Sequence, residues 1–275
     1  MMPASIQVSN LIKSFAEKQG AKRVLDGINL SVAPGEFTAL VGASGCGKST
    51  LLRLIAGLDR FDSGSILVGD RQVTRPGADR TMVFQDYSLY PWLTVMENVR
   101  FCRELLSHRN DTESQSLSAI DRSYALLELM GLSHAANLYP TQLSGGMQQR
   151  VAIARALMAQ PEVLLMDEPF GALDAQTREV MHDLILHLHA RLKPTIIFVT
   201  HDVEEALYLA QRVVVLAPNP GRVDSVLESP LPPSAERDQE MKTSPEFVAA
   251  KREILARIRK TTGVSTRSDL LERIS

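Results

Sequence analysis

The run Gly42-Ala43-Ser44-Gly45-Cys46-Gly47-Lys48-Ser49-Thr50 follows the spacing G-x-x-x-x-G-K-[ST], which suits phosphate binding. Glycines let backbone N–H groups turn inward around phosphate oxygens, and a helix starting at the end of the run adds positive potential. Lys48 supplies a mobile charge, and Ser49 a hydroxyl for a divalent cation. A second reactive group ends the run Val163-Leu164-Leu165-Met166-Asp167-Glu168, in which four apolar residues precede two carboxylates. Beside a phosphate loop, an acid so placed helps hold Mg²⁺. Asp167 fits that task, and Glu168 is positioned to accept a proton from an attacking water. A third group, Leu143-Ser144-Gly145-Gly146-Met147-Gln148-Gln149-Arg150, is another glycine turn before a helix, hence a second anion site. Each has a plainer alternative: a glycine-rich strand-to-helix turn, an acidic turn after a strand, a serine-capped helix start. Their occurrence in one chain, in this order, favours the chemical reading.

These residues need a rigid frame. Short strands are expected at Ile6–Val8, Ile28–Val32, Ser65–Val68 and, buried, Thr81–Phe84, with a turn at Asp62-Ser63-Gly64. The apolar runs Phe37–Val41, Val163–Met166, Ile196–Thr200 and Val213–Leu216 alternate with helical patterns. Leu51, Leu54, Ile55 and Leu58 form one stripe, and Met181, Leu184, Ile185, Leu188 and Leu192 another, with Asp174 as candidate N-cap. Val203–Ala210 reads as a further helix. Apolar strands alternating with amphipathic helices imply a parallel sheet covered on both faces. Residues from about Val95 to Leu132 read as helical, broken by an exposed polar connection at His108–Ser118. The proline-rich stretch Ala217–Asp238 reads as loop and edge structure, and Ser244-Pro245 starts a last helix. His182, His187 and His189 lack metal-like spacing and read as surface or partly buried polar residues.

The composition narrows the field. The chain has 275 residues, 44% hydrophobic and 23% charged, enough for one large α/β domain or two small ones. A formal net charge of -2 gives no global field for nucleic acid. Two cysteines, Cys46 and Cys102, exclude a disulfide framework and a cysteine-rich zinc site. Residues 1–10 contain no apolar run of signal-peptide type, and no apolar run is long enough to span a bilayer. Any membrane part would belong to another chain.

Leu143-Ser144-Gly145-Gly146-Met147-Gln148 resembles the signature motif of ABC-type ATPases, and the resemblance extends to about residue 218. It implies an α/β fold with a P-loop (RecA-like) core, an N-terminal antiparallel β subdomain and an inserted α-helical subdomain. A single ATPase domain is expected over 1–240, with core segments 1–88 and 156–218 and the helical subdomain at about 89–155. A tail with a terminal helix covers 219–275. The resemblance places ATP on Gly42, Ala43, Ser44, Gly45, Cys46, Gly47, Lys48, Ser49 and Thr50, with Phe15 stacking on adenine or else packing in the core. Ser49, Gln85 and Asp167 would organise Mg²⁺, and Glu168, His201, Gln85 and Lys48 would serve catalysis. Ser144, Gly145, Gly146 and Gln148 would reach the ATP of a second copy in a head-to-tail dimer. Asp174 would lie in the loop crossing between subunits, with or instead of its capping role. One departure is a stretch between Asn98 and Leu132 several residues longer than usual, mainly through Asn110–Ser118.

Tyr90-Pro91-Trp92, Phe170–Arg178, Asn219-Pro220-Gly221-Arg222 and the tail segments Ser244–Phe247 and Arg252–Leu255 are similar to the nitrate/sulfonate/taurine/bicarbonate importers. That likeness implies a transmembrane permease, a periplasmic or lipid-anchored solute-binding protein, no nucleic acid, and a position on the cytoplasmic face of the cell membrane. Tyr90-Pro91-Trp92 would dock the permease or pack the helical subdomain. An exporter subunit and a soluble ABC ATPase are the alternatives; the chain shows neither sustained heptads nor a second cassette.

Overall fold

The computed structural model describes residues 2–17, 20–107, 113–171 and 173–262. Strands β1 (Ile6–Glu17), β2 (Gly20–Val32), β3 (Phe37–Gly42), β4 (Ser63–Val68), β5 (Arg71–Gln72) and β6 (Arg80–Val83) occupy the first part of the chain, with α1 (Lys48–Ala56) after β3. Helices α2 (Val95–Ser107), α3 (Glu113–Leu129) and α4 (Gly145–Met158) follow. Then come β7 (Val163–Asp167), α5 (Ala175–Leu192), β8 (Thr195–Val199), α6 (Val203–Leu209), β9 (Arg212–Ala217), β10 (Arg222–Glu228) and α7 (Pro245–Thr262).

One sheet is antiparallel, in the order β2-β1-β4-β5; the other runs β10-β9-β3-β8-β7-β6. In the second sheet only β10 is antiparallel to its neighbour. The period of two along each central strand divides its side chains between two cores. Ala39, Val41, Val213 and Val215 face a core built with α4, α5, α6 and α7. Leu40, Val214, Leu216, Val163 and Leu165 face a second core, with α1 and the antiparallel sheet. Burial on both faces explains why these strands read as unbroken apolar runs.

Several local expectations need correction. β1 and β2 extend well past the expected Ile6–Val8 and Ile28–Val32, because backbone pairing continues where the side chains leave the core. Ser63 and Gly64 belong to β4 rather than to a turn. β6 ends at Val83, and only Val83 in it is buried, since this strand is the sheet's edge. Of the polar stretch at 108–118, residues 108–112 lie outside the described residues, and the backbone is helical from Glu113. His182 and His189 are buried, not superficial. The His189 Nε2 pairs with the Gly35 carbonyl at 2.9 Å and its Nδ1 with Ser234 Oγ at 3.0 Å, so both ring nitrogens are satisfied. Burial holds the His189 imidazole below its usual pKa.

Candidate functional site

The C-terminal ends of three adjacent strands, β3, β8 and β7, carry the phosphate-type loop, His201 and the Asp167-Glu168 pair. Ligands bind at this end in open α/β sheets, where helix N-termini converge. A cleft of about 510 Å³ opens here, lined by Ser44, Gly45, Lys48, Ser49, Glu168 and His201 among others.

The loop's geometry follows from its glycines. Gly47, the N-cap of α1, has φ 98, and a Cβ there would lie 2.5 Å from Leu25 Cδ2. No side chain caps α1, so its first N–H groups face the cleft without an intrahelical partner. Lys48 is 6% exposed, and its ammonium donates to the Gly42 carbonyl at 2.9 Å and the Ala43 carbonyl at 3.1 Å. That holds a positive charge at the centre of the loop. Cys46 is buried and its thiol is pushed up by desolvation, which makes it inert packing. Thr50 lies in the first turn of α1.

Across the cleft, Ser49 Oγ donates to Asp167 Oδ1 at 2.9 Å. Burial, reinforced by the neighbouring Glu168 charge and opposed by the Ser49 hydrogen bond, raises the Asp167 pKa above the usual carboxylate value. Glu168 has φ 45, a left-handed conformation that is costly for a glutamate. The kink sets its carboxylate 3.3 Å from His201 Nδ1, and the His201 ring is largely exposed to the cleft. Phe15 sits on β1 opposite Lys22, 41% exposed, with the Lys13 ammonium 4.6 Å from its ring centroid. One ring face is covered by a cation, and the side chain is not core.

The remaining expected site residues lie elsewhere. Gln85 is exposed in the turn beyond β6 and does not line the cleft. Ser144 caps α4, accepting from the Met147 N–H at 3.3 Å, and Ser144 and Gly145 are exposed. Gln148 Nε2 donates to the Pro140 and Leu143 carbonyls at 3.0 and 3.3 Å, tying down the turn before α4. Asp174 caps α5 through the Thr177 N–H at 3.0 Å, and that bond lowers its pKa. The chain therefore carries two glycine turns that open helices, of which the one before α1 lines the cleft and the one before α4 does not.

Two contributors escaped the sequence reading. Val24 of β2 lines the cleft, and nothing in its surroundings in sequence distinguishes it from other strand valines. Gly221 packs behind the phosphate loop: a Cβ there would lie 2.3 Å from the Cys46 carbonyl oxygen and 2.9 Å from that of Val24. Its N–H donates to the Val24 carbonyl at 2.8 Å, and its own carbonyl accepts from the Asp26 N–H at 3.0 Å. Arg222 pairs with Asp26 beside it.

A phosphate loop closing the central strand, with an acid-tipped strand and a histidine at the same sheet end, defines a P-loop ATPase. The ABC transporter family model matches residues 25–171. The nitrate import ATP-binding protein NrtD of Synechocystis is 47% identical over 92% of this chain and 95% of that protein. The aliphatic sulfonates import ATP-binding protein SsuB of Bacillus subtilis is 41% identical over 94% and 95%. The dimeric post-hydrolysis structure of the ATP-binding cassette MJ0796 bound to ADP and Pi superposes with a TM-score of 0.72 at 31% identity, over 81% of this chain and 98% of that one. The chain belongs to the ABC transporter family. It is an ATP hydrolase whose turnover is coupled to transport.

Proposed function

We propose that this chain powers import of a small oxyanion of the nitrate or sulfonate type through a separate permease, working as a head-to-tail pair on the cytoplasmic face of the cell membrane. The separation of the two anion-binding turns carries this reading. The Lys48 loop lines the cleft, whereas Ser144 and Gly145 are exposed outside it, with Gly146 half-buried behind them, where the turn would meet the cleft of a second copy. Ser144 already accepts the capping bond, which leaves its hydroxyl hydrogen for a phosphate oxygen. The import direction and the oxyanion class rest on the two importer relatives. Among the described residues no helix is long and apolar enough to cross a membrane.

Within the pair, Lys48 and the α1 amides would hold the β- and γ-phosphates, with Phe15 and Val24 against the base and sugar. Glu168 would take the proton of the attacking water, and His201 would steady the transferring phosphoryl group. Gln85 would enter on closure. The donor set fits Mg²⁺, which favours one or two carboxylates plus substrate phosphates: a hydroxyl 2.9 Å from a carboxylate whose burial outweighs the pull of Lys48 and Arg53. When bound, the ion neutralises developing phosphate charge; Ser49 and, through water, Asp167 would hold it. We read residues 1–240 as one ATPase domain, supported by the joint sheet and by β10 extending it past residue 218.

Asp167→Asn tests the acid. Because its folded pKa is raised, Asp167 ionises against the fold: its contribution to stability declines as pH climbs through the ordinary carboxylate range and stays low above the elevated value. At neutral pH the asparagine variant is expected to melt higher than the wild type, while ATP hydrolysis collapses. A lower melting temperature would sink this account of the site.

The permease surface is expected at the Trp92 side chain, 69% exposed. Its ring stands 5.6 Å from that of Tyr90, which packs on Phe101 at 4.4 Å. Arg155 donates to the Tyr87 and Ser88 carbonyls, linking this corner to α4. Trp92→Ala is expected to weaken co-purification with the permease; unchanged recovery would move the docking surface elsewhere. The function as a whole is tested by reconstituting the chain with its permease and binding protein and offering a panel of anions. Oxyanion-stimulated hydrolysis is the expected result, and stimulation by nucleic acid alone would overturn it.

A further inference from the structure

Beneath His201 lies a buried polar chain that no motif announces. Glu205 and His182 are 6% and 3% exposed. Burying such groups is costly unless they pair, and both Glu205 oxygens are engaged. His182 Nε2 meets Oε1 at 2.8 Å, and the Thr200 hydroxyl donates to Oε2. Thr200 Oγ1 in turn accepts the Asp202 N–H at 3.0 Å, and the Asp202 carboxylate caps α6 at the Glu204 and Glu205 N–H groups. The residues on either side of His201 are therefore both tied to one carboxylate. The other end of the chain reaches the loop after Glu168: the His182 ring meets Phe170 edge-on at 5.3 Å, and Phe170 lies 5.7 Å from Phe198. His182 belongs to α5, the helix capped by Asp174.

We propose that His182 and Glu205 are positioning residues that fix the aim of His201 and couple it to the Glu168–Asp174 loop. The His201 ring is 68% exposed and, among the described residues, Glu168 is its side chain's one polar partner, so its direction depends on its backbone. Among the described residues His182 Nδ1 is buried without a partner, which leaves Glu205 as the ring's sole polar anchor there. The position thus demands a single donor reaching Oε1 from α5, which a glutamine amide also supplies and a leucine does not. The proposal rests on the reading of His201 as the group that meets the transferring phosphoryl.

The test uses the full-length chain and steady-state ATP hydrolysis, with melting temperature as the check on folding. His182→Leu is expected to lower kcat by about tenfold to a hundredfold, the upper end being the loss that a ~1 Å misplacement produces, with KM for ATP unmoved. His182→Gln is expected to restore kcat. In a His201→Ala background, His182→Leu is expected to add no further loss, since both changes remove one effect. Wild-type kcat in a folded His182→Leu, additive losses in the double variant, or equal losses in the leucine and glutamine variants would each overturn the coupling. Wild-type hydrolysis by His201→Ala would instead overturn the role given to His201, a separate failure.

Discussion

Glu168→Gln is expected to stop turnover, by about a thousandfold or more for loss of a general base, while ATP binding persists and a stable dimer accumulates. The geometry supplies the reason. Glu168 is bent out of the β7 line by its left-handed backbone, which brings its carboxylate to the cleft beside His201. Glutamine keeps the shape and the contact to His201 but has no basic oxygen for the water's proton. None of the loop amides or Lys48 is altered, so ATP still fills the cleft and the pair still closes. Gel filtration with ATP, alongside phosphate release, reads both halves. A variant hydrolysing at the wild-type rate would remove Glu168 from the role of base.

Lys48→Ala is expected to give the opposite pattern: no turnover, weak nucleotide binding and no ATP-dependent dimer. Hydrogen bonds to charged groups are worth about 1.5–3 kcal/mol, so ATP affinity falls roughly tenfold to a hundredfold. The loss reaches beyond one chain. ATP held by this loop supplies the surface that the Ser144 turn of the second copy would recognise, so a chain that cannot hold phosphate also cannot close. Titration with a fluorescent ATP analogue and sedimentation in its presence check the two effects together. A Lys48→Ala chain that dimerises normally with ATP would separate the loop from closure.

The two variants divide what the sequence announces from what it conceals. Lys48, Ser49, Asp167 and Glu168 are legible because phosphate and metal chemistry restrict residue types within short windows, and the fold places these windows where strand-to-helix alternation implies. The apolar strands are legible for the same reason: burial on both faces leaves no polar positions. The β1–β2 hairpin beyond the core is not, because backbone pairing leaves little trace in exposed side chains. His182 was misjudged because its partner lies on another helix, at Glu205, and only the folded chain brings them within 2.8 Å. Gln85 and the Ser144 turn are legible as motifs, yet one chain alone does not bring them to the cleft. Under the proposed reading the Ser144 turn acts on the ATP of a second copy, and Gln85 enters on closure.

The turn at residues 219–222 bears on how such proteins can be recombined. Every motif that marks the ATPase precedes it, and the following segments invite exchange between relatives as a detachable module. Gly221, however, rests on the Cys46 carbonyl with no room for a methyl group. A tail grafted from another protein would have to bring a glycine at this position, with a strand to pair against β9. The back of the nucleotide site is thus inherited with the tail rather than with the motifs.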